Sequence, residues 1–228
     1  MREAAERAKA AGAAEPSGVD LPADVPTSGE FDVEFETTVG KFVVHVNRAW
    51  APIGAHRFYQ LVKDGFYNDC GFFRVVPGFV VQFGLAADPA VTAKWKREIP
   101  DDPVIEGNHK GYVTFATSGP NSRTTQIFIN LADNSSSLDP QGFSAFGKVT
   151  SGMSVVEKIT SQYEGRPDQG SITYEGNKYL KANFPELDYV TKATIVGDDS
   201  EPAPADETPA EDAAKAVSAD QPADKPAE

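Results

Sequence analysis

The chain is poor in the residues that build covalent cross-links and metal centres. Its 228 residues include a single cysteine, Cys70, which excludes an intramolecular disulfide. The three histidines, His45, His56 and His109, are widely spaced and, with so little cysteine, form no zinc pattern. No stretch approaches the ~20 apolar residues of a membrane helix. Basic clusters are lacking as well. Only 21 Lys and Arg stand against 34 Asp and Glu, giving a net charge of −13, and no basic face points to nucleic acid. The N-terminus, Met1 to Ala10, lacks the apolar core of a signal peptide. Read as written, the chain is expected to be cytoplasmic. The Ala/Pro-rich spacer at residues 11–29 would equally suit a periplasmic or exported protein whose signal is missing from this sequence.

What is present supports one folded domain between two polar extensions. Hydrophobic residues make up 40% and aromatics 10%, enough for a real core. The charge is unevenly spread: residues 198–228 hold ten acidic and two basic side chains, so −8 of the −13 lies there. With almost no large apolar residue, that segment cannot bury enough surface to order itself. We therefore expect a flexible Ala/Pro-rich leader at 1–29, a domain at 30–197 and a disordered acidic Pro/Ala-rich tail at 198–228.

Within the domain, period-two alternation dominates. Phe31 to Glu36 and Phe42 to Val46 alternate around Gly40 and read as a hairpin. Pro52 opens a helix that carries Phe58, Leu61 and Val62 at helical spacing and stops at Gly65. Residues 85–110, which contain Trp95, read as a long loop. Strands are expected at 112–116 and 126–131, then a loop from Asp133 to Gln141 and a strand from Phe143 to Val149. A second helix is expected over Ser154 to Ser161. Residues 162–186 read as mostly loop, with a short helical stretch near 178–182, before a closing strand from Tyr189 to Val196. Many strands, few helices and a strand at each end suggest a barrel.

The most informative run is Phe72 to Gly84. It sets one arginine, Arg74, among aromatic and β-branched residues and breaks at Pro77-Gly78, so it reads as strand, turn, strand. A guanidinium on an apolar surface suits a ligand that needs a fixed donor fork. Val80 and Gln82 share a parity and should face the same way. Further on, Gln126 and Phe128 alternate with Ile127 and Ile129 after the loop Ser118-Gly119-Pro120-Asn121. An apolar patch carrying one cation and one amide suits a partly apolar ligand with a polar backbone, such as an X-Pro peptide.

These segments resemble the cyclophilin family of peptidyl-prolyl isomerases. The matching motifs are Phe72-Phe73-Arg74, Pro77-Gly78-Phe79, Gln82, Gly119-Pro120-Asn121, Gln126 to Ile129, Leu138-Asp139 and Phe146 to Val149, in family order over roughly residues 31–160. The resemblance implies an all-β-dominated fold: a closed eight-stranded antiparallel β-barrel capped by two α-helices, with the site on its outer surface. It implies that Arg74 is the catalytic arginine and that Gln82 binds peptide and steadies it. Phe79, Val80, Phe128 and Leu138 would form the proline pocket. Ala116 and Thr117 would pair with peptide backbone, with Gln126 beside them. No metal or cofactor is expected. The expected partners are proline-containing peptides and unfolded or partly folded proteins, bound by a monomer.

Some positions depart from the family pattern. Phe73 stands in place of the usual histidine beside the arginine. Ser137 stands where many eukaryotic members have tryptophan. The interval from Leu138 to Phe146 is one residue longer than usual and puts Phe143 where a pocket histidine is common. Thr117 replaces the usual asparagine. The alternative reading is a chaperone or scaffold module that captures proline segments with little turnover. Arg74 separates the two, because capture alone needs no donor at the prolyl nitrogen.

Overall fold

The structure, a computed structural model, describes residues 27–197. The expected acidic tail and all but the last three residues of the expected leader lie outside the described residues. Eight strands form a single antiparallel sheet: β1 (Glu30–Thr37), β2 (Gly40–Asn47), β3 (Arg74–Val76), β4 (Val80–Phe83), β5 (Tyr112–Phe115), β6 (Ile127–Asn130), β7 (Ala145–Ser151) and β8 (Val190–Ile195). Their spatial order is β3-β4-β6-β5-β7-β2-β1-β8. The sheet curls so that the segments just before β3 and β8 come together. Just before β3 and β8 the chain forms a bridge between Gly71 and Tyr189. Phe72 N donates to Asp188 O and Val190 N donates to Cys70 O, at 3.0 and 2.9 Å.

Alternation decides which side chains fill the interior. In β1, Val33 and Phe35 point inward; in β2, Phe42, Val44 and Val46 do. Phe35 and Phe42 stack across the hairpin at 5.0 Å, their registered positions directly opposite. The interior is therefore packed with side chains, and any binding site has to lie on the outside.

Helix α1 (Pro52–Lys63) covers one part of this core with Phe58 and Leu61, both fully buried. Its N-cap residue, Ala51, offers no side chain to the free N–H groups. Asp102 does so from far along the chain, accepting from Ile53 N at 2.9 Å and Gly54 N at 2.8 Å. The same carboxylate accepts from Arg123 Nη1 at 3.0 Å in a fully buried ion pair.

Four expectations need correction. The loop expected at 85–110 contains helix α2 (Pro89–Trp95), which starts because the Asp88 side chain accepts from Ala90 N. The loop expected from Asp133 to Gln141 contains a one-turn helix, α3 (Ser135–Leu138), and a 3-10 turn at Asp139–Gln141. The helix expected over Ser154 to Ser161 shrinks to α4 (Met153–Val156). Beyond Val156 the chain tightens into i→i−3 bonds, with Lys158 N donating to Val155 O and Ile159 N to Val156 O. That turn suffices to bury both Val156 and Ile159. Finally, residues 162–186 hold two helices, α5 (Gln169–Glu175), capped by Asp168, and α6 (Asn177–Asn183). They enclose a second apolar cluster of Phe73, Leu85, Ile172, Leu180 and Leu187. Of the two helices expected to cap the barrel, α1 runs for three turns and the second is the single turn α4.

Candidate active site

The β3–β4 hairpin turns at Pro77-Gly78, where Gly78 takes φ +70° with open space around it. That short turn sets the register, pairing Arg74 opposite Gln82 and Val76 opposite Val80. In β4, Val81 and Phe83 enter the barrel core, so Val80 and Gln82 face outward together, as alternation requires. Strand β6 then places Phe128 opposite Gln82.

The polar half of the site is a chain of three side chains. Arg74 Nη1 donates to Gln82 Oε1 at 3.0 Å, and Gln82 Nε2 donates to Gln126 Oε1 at 2.9 Å. Gln82 is 7% exposed, so its amide is a fixed element of the wall. The arginine is held from other sides as well. Its Cζ lies 5.7 Å from the centre of the Phe79 ring. Val75 N donates to Glu164 O at 2.9 Å, bringing the 161–166 turn alongside β3. A Cβ on Gly165 would stand 3.7 Å from Arg74 Cγ, so that turn lies against the arginine stem.

The apolar half is a separate cluster on the outer face. Val80, Phe128 and Leu138 are buried in it, with Phe79, Ala116 and Phe143 packed against them. Phe128 and Phe143 meet edge to face, their centroids 5.8 Å apart at 68°. Ala116 N donates to Gln126 O at 2.9 Å, which fixes the strand edge next to Gln126. Thr117, one residue on, turns its hydroxyl into the Gly-Pro-Asn loop, 2.8 Å from Ser122 Oγ. The structure thus gathers Arg74, Gln82 and Gln126 into one polar chain, with Phe79 against the arginine. It groups Val80, Phe128, Leu138, Phe143 and Ala116 in one apolar cluster, which Phe79 joins. Thr117 borders this group through its backbone neighbour.

This arrangement coincides with a family match. Residues 32–175 fit the model of the cyclophilin type peptidyl-prolyl cis-trans isomerase. The chain belongs to the cyclophilin family. It is an enzyme of the isomerase class. A peptidyl-prolyl cis-trans isomerase of Acinetobacter baylyi is 38% identical over 137 residues, covering 57% of this chain and 71% of that protein. The peptidyl-prolyl cis-trans isomerase-like 1 protein of Aspergillus niger is 34% identical, covering 68% of this chain and 95% of its own length. Among solved structures, a cyclophilin type isomerase of Cryptosporidium parvum matches with a TM-score of 0.56 at 20% identity, over 75% of this chain and 99% of its own. The same Cryptosporidium protein has been solved in the presence of the dipeptide Ala-Pro. A cyclophilin from Hirschia baltica gives a TM-score of 0.55 at 18% identity, over 74% of this chain and 75% of its own.

Two departures from the family pattern have structural explanations in this cyclophilin. Phe73, 1% exposed, belongs to the second apolar cluster beneath α5 and α6, where an imidazole would find aliphatic walls. Phe143 keeps the pocket apolar through its contact with Phe128. Sequence reasoning missed the buried asparagines behind the pocket, Asn108, Asn130 and Asn134. The signal was there: Asn130 ends the run Ile127-Phe128-Ile129, where a buried amide demands partners.

Proposed function

We propose that this cyclophilin accelerates X-Pro rotation with Arg74 as the catalytic donor and the Val80, Phe128 and Leu138 cluster as the proline pocket. An X-Pro amide is planar by resonance, with a rotation barrier of ~18–20 kcal/mol. Its exchange takes tens to hundreds of seconds unaided. No acid, nucleophile or metal is needed to speed it. The catalyst has to hold the ring and favour the twisted amide over both planar forms.

In the twisted amide the prolyl nitrogen regains its lone pair. A donor aimed at that nitrogen forms its bond chiefly in the transition state. Arginine carries five N–H donors in a rigid fork, so one spent on Gln82 leaves others for the substrate. The observation that carries this reading is the Arg74–Gln82–Gln126 chain beside an apolar pocket. Gln82 holds the fork in place, Gln126 holds Gln82, and Phe79 lies against the guanidinium. The edge at Ala116 and Thr117 offers backbone groups to the residues before proline. The substrates in this reading are unfolded or partly folded chains, which expose X-Pro bonds, and the isomerase acts on them as a monomer.

The test is Arg74→Ala with a short X-Pro peptide. Losing one charge-assisted donor to the transition state should cost ~2.7–4 kcal/mol, about a hundredfold or more in kcat, with peptide affinity little changed. Near-full turnover in this variant would show that Arg74 is not the donor that stabilises the twisted amide.

A further inference from the structure

The walls of the proposed proline pocket come from separate parts of the chain: Phe79 from the β3–β4 turn, Phe128 from β6, Leu138 from α3 and Phe143 from the loop before β7. Apolar contact alone does not fix their spacing. Behind them lie three buried asparagines, Asn108 and Asn130 at 0% exposure and Asn134 at 8%. Buried amides are costly unless every group is paired. Here all six side-chain N–H hydrogens are donated.

The bonds form a directed series. Asn134 Nδ2 donates to Phe79 O at 2.9 Å and to Asn130 Oδ1 at 2.8 Å. Asn130 Nδ2 donates to Asn108 Oδ1 at 3.3 Å and to Tyr112 O at 3.0 Å. Asn108 Nδ2 donates to Phe143 O at 2.8 Å and to Asp139 Oδ1 at 2.7 Å. The series therefore begins on the backbone of one pocket wall and ends on the backbone of another. A branch at Asp139, which also accepts from Asn108 N at 3.0 Å, ties down the residue after Leu138. Leu138 itself is tied back to Asn134, its N–H donating to Asn134 O at 2.9 Å.

We infer that Asn134, Asn130 and Asn108 are positioning residues for substrate binding: an amide relay that sets the spacing between the Phe79, Leu138 and Phe143 walls. This rests on the pocket proposed above. The relay bonds neither Arg74 nor Gln82 and reaches the guanidinium only through the Phe79 ring, so its main effect falls on how the ring is held. Holding the ring is common to ground and transition states, and its loss appears in KM with kcat retained. Because the bonds run in series, breaking either end releases the same spacing, and single losses should not add.

The experiment compares Asn134→Ala, Asn108→Ala and the double variant with the native protein. The readouts are kcat and KM on an X-Pro peptide and the melting temperature. Ile195→Ala, where β8 pairs with Val33 of β1, is the control for simple destabilisation. Each asparagine variant should raise KM by roughly tenfold, the equivalent of one buried hydrogen bond. kcat should stay within about twofold. The double variant should match the singles, and Ile195→Ala should melt lower with KM unchanged. If Asn108→Ala does not fold, Asn134→Ala decides, since its side chain lies nearest the surface of the three. A native KM in Asn134→Ala, or a rise no greater than in Ile195→Ala, overturns the relay. So does a double variant whose loss is the product of the singles. Failure of the underlying pocket reading looks different: Phe128→Ala would then leave KM unchanged whatever the asparagines do.

Discussion

At the scale of single residues, two side chains that look chemical in the sequence are packing. Phe73 sits next to Arg74 yet is 1% exposed among Leu85, Ile172, Leu180 and Leu187. Phe73→His would bury a polar imidazole among these aliphatic side chains, and should lower stability by about 1–3 kcal/mol. Urea unfolding measures this directly, and an unchanged midpoint would show that the cluster opens to water. Cys70 is the second case. It is fully buried, its Sγ 3.4 Å from Phe66 O. Burial, helped by the charge of Asp69, pushes its thiol far above the ordinary range. Only the thiolate is nucleophilic. The folded protein should therefore resist iodoacetamide at neutral pH and be labelled once denatured. Rapid labelling of the native state would place Cys70 at the surface.

At the scale of elements, what the sequence revealed depended on how local the signal was. The β1–β2 and β3–β4 hairpins were legible because alternation and a Gly or Pro-Gly turn lie within a dozen residues. So was α1, with Pro52 at its start. Of the short helices, α6 was expected near 178–182, whereas α2 and α5 were missed because seven residues carry too little periodicity, although their caps, Asp88 and Asp168, were visible. The candidate site divides the same way. Arg74, Gln82 and Phe128 follow from strand parity, whereas the asparagine relay joins Phe79 to Phe143 through bonds that only the fold creates. The capping of α1 by Asp102 is equally non-local. It leads to a prediction for that helix. Asp102→Ala removes the acceptor for Ile53 N and Gly54 N and takes from the buried Arg123 its buried carboxylate, leaving only the partly exposed Asp101 at 3.2 Å. Breaking one side of a buried pair costs about 3–5 kcal/mol. Chemical denaturation should show that loss. A loss under about 1 kcal/mol, the range of an exposed pair, would mean that solvent reaches Arg123.

At the scale of the whole molecule, the strand pairings that build the barrel are complete before the acidic segment begins. The last registered pair of β8 is Ile195 with Val33 of β1, and Val196 N still donates to Asp32 O at 2.9 Å. Closure on β3 uses residues 70–72 and 188–190, also upstream. Residues 198–228 bring ten acidic side chains, two lysines and a single large aliphatic residue, Val217. Such a composition has little to add to an apolar core. The folded part is close to neutral while most of the negative charge lies beyond it, so removing that charge relieves no strong repulsion within the barrel. A chain ending at Gly197 should thus melt within about 2 °C of the full-length protein, less than the shift about 1 kcal/mol gives in a domain of this size. Its kcat and KM on an X-Pro peptide should also be unchanged, because every residue of the proposed site lies between Arg74 and Phe143. Differential scanning calorimetry and the peptide assay, run on both chains at the same ionic strength, provide the check. A drop of more than about 5 °C on truncation would show that the acidic segment packs against the barrel. A fall in KM alone, with the melting temperature constant, would show instead that the segment competes with substrate for the pocket.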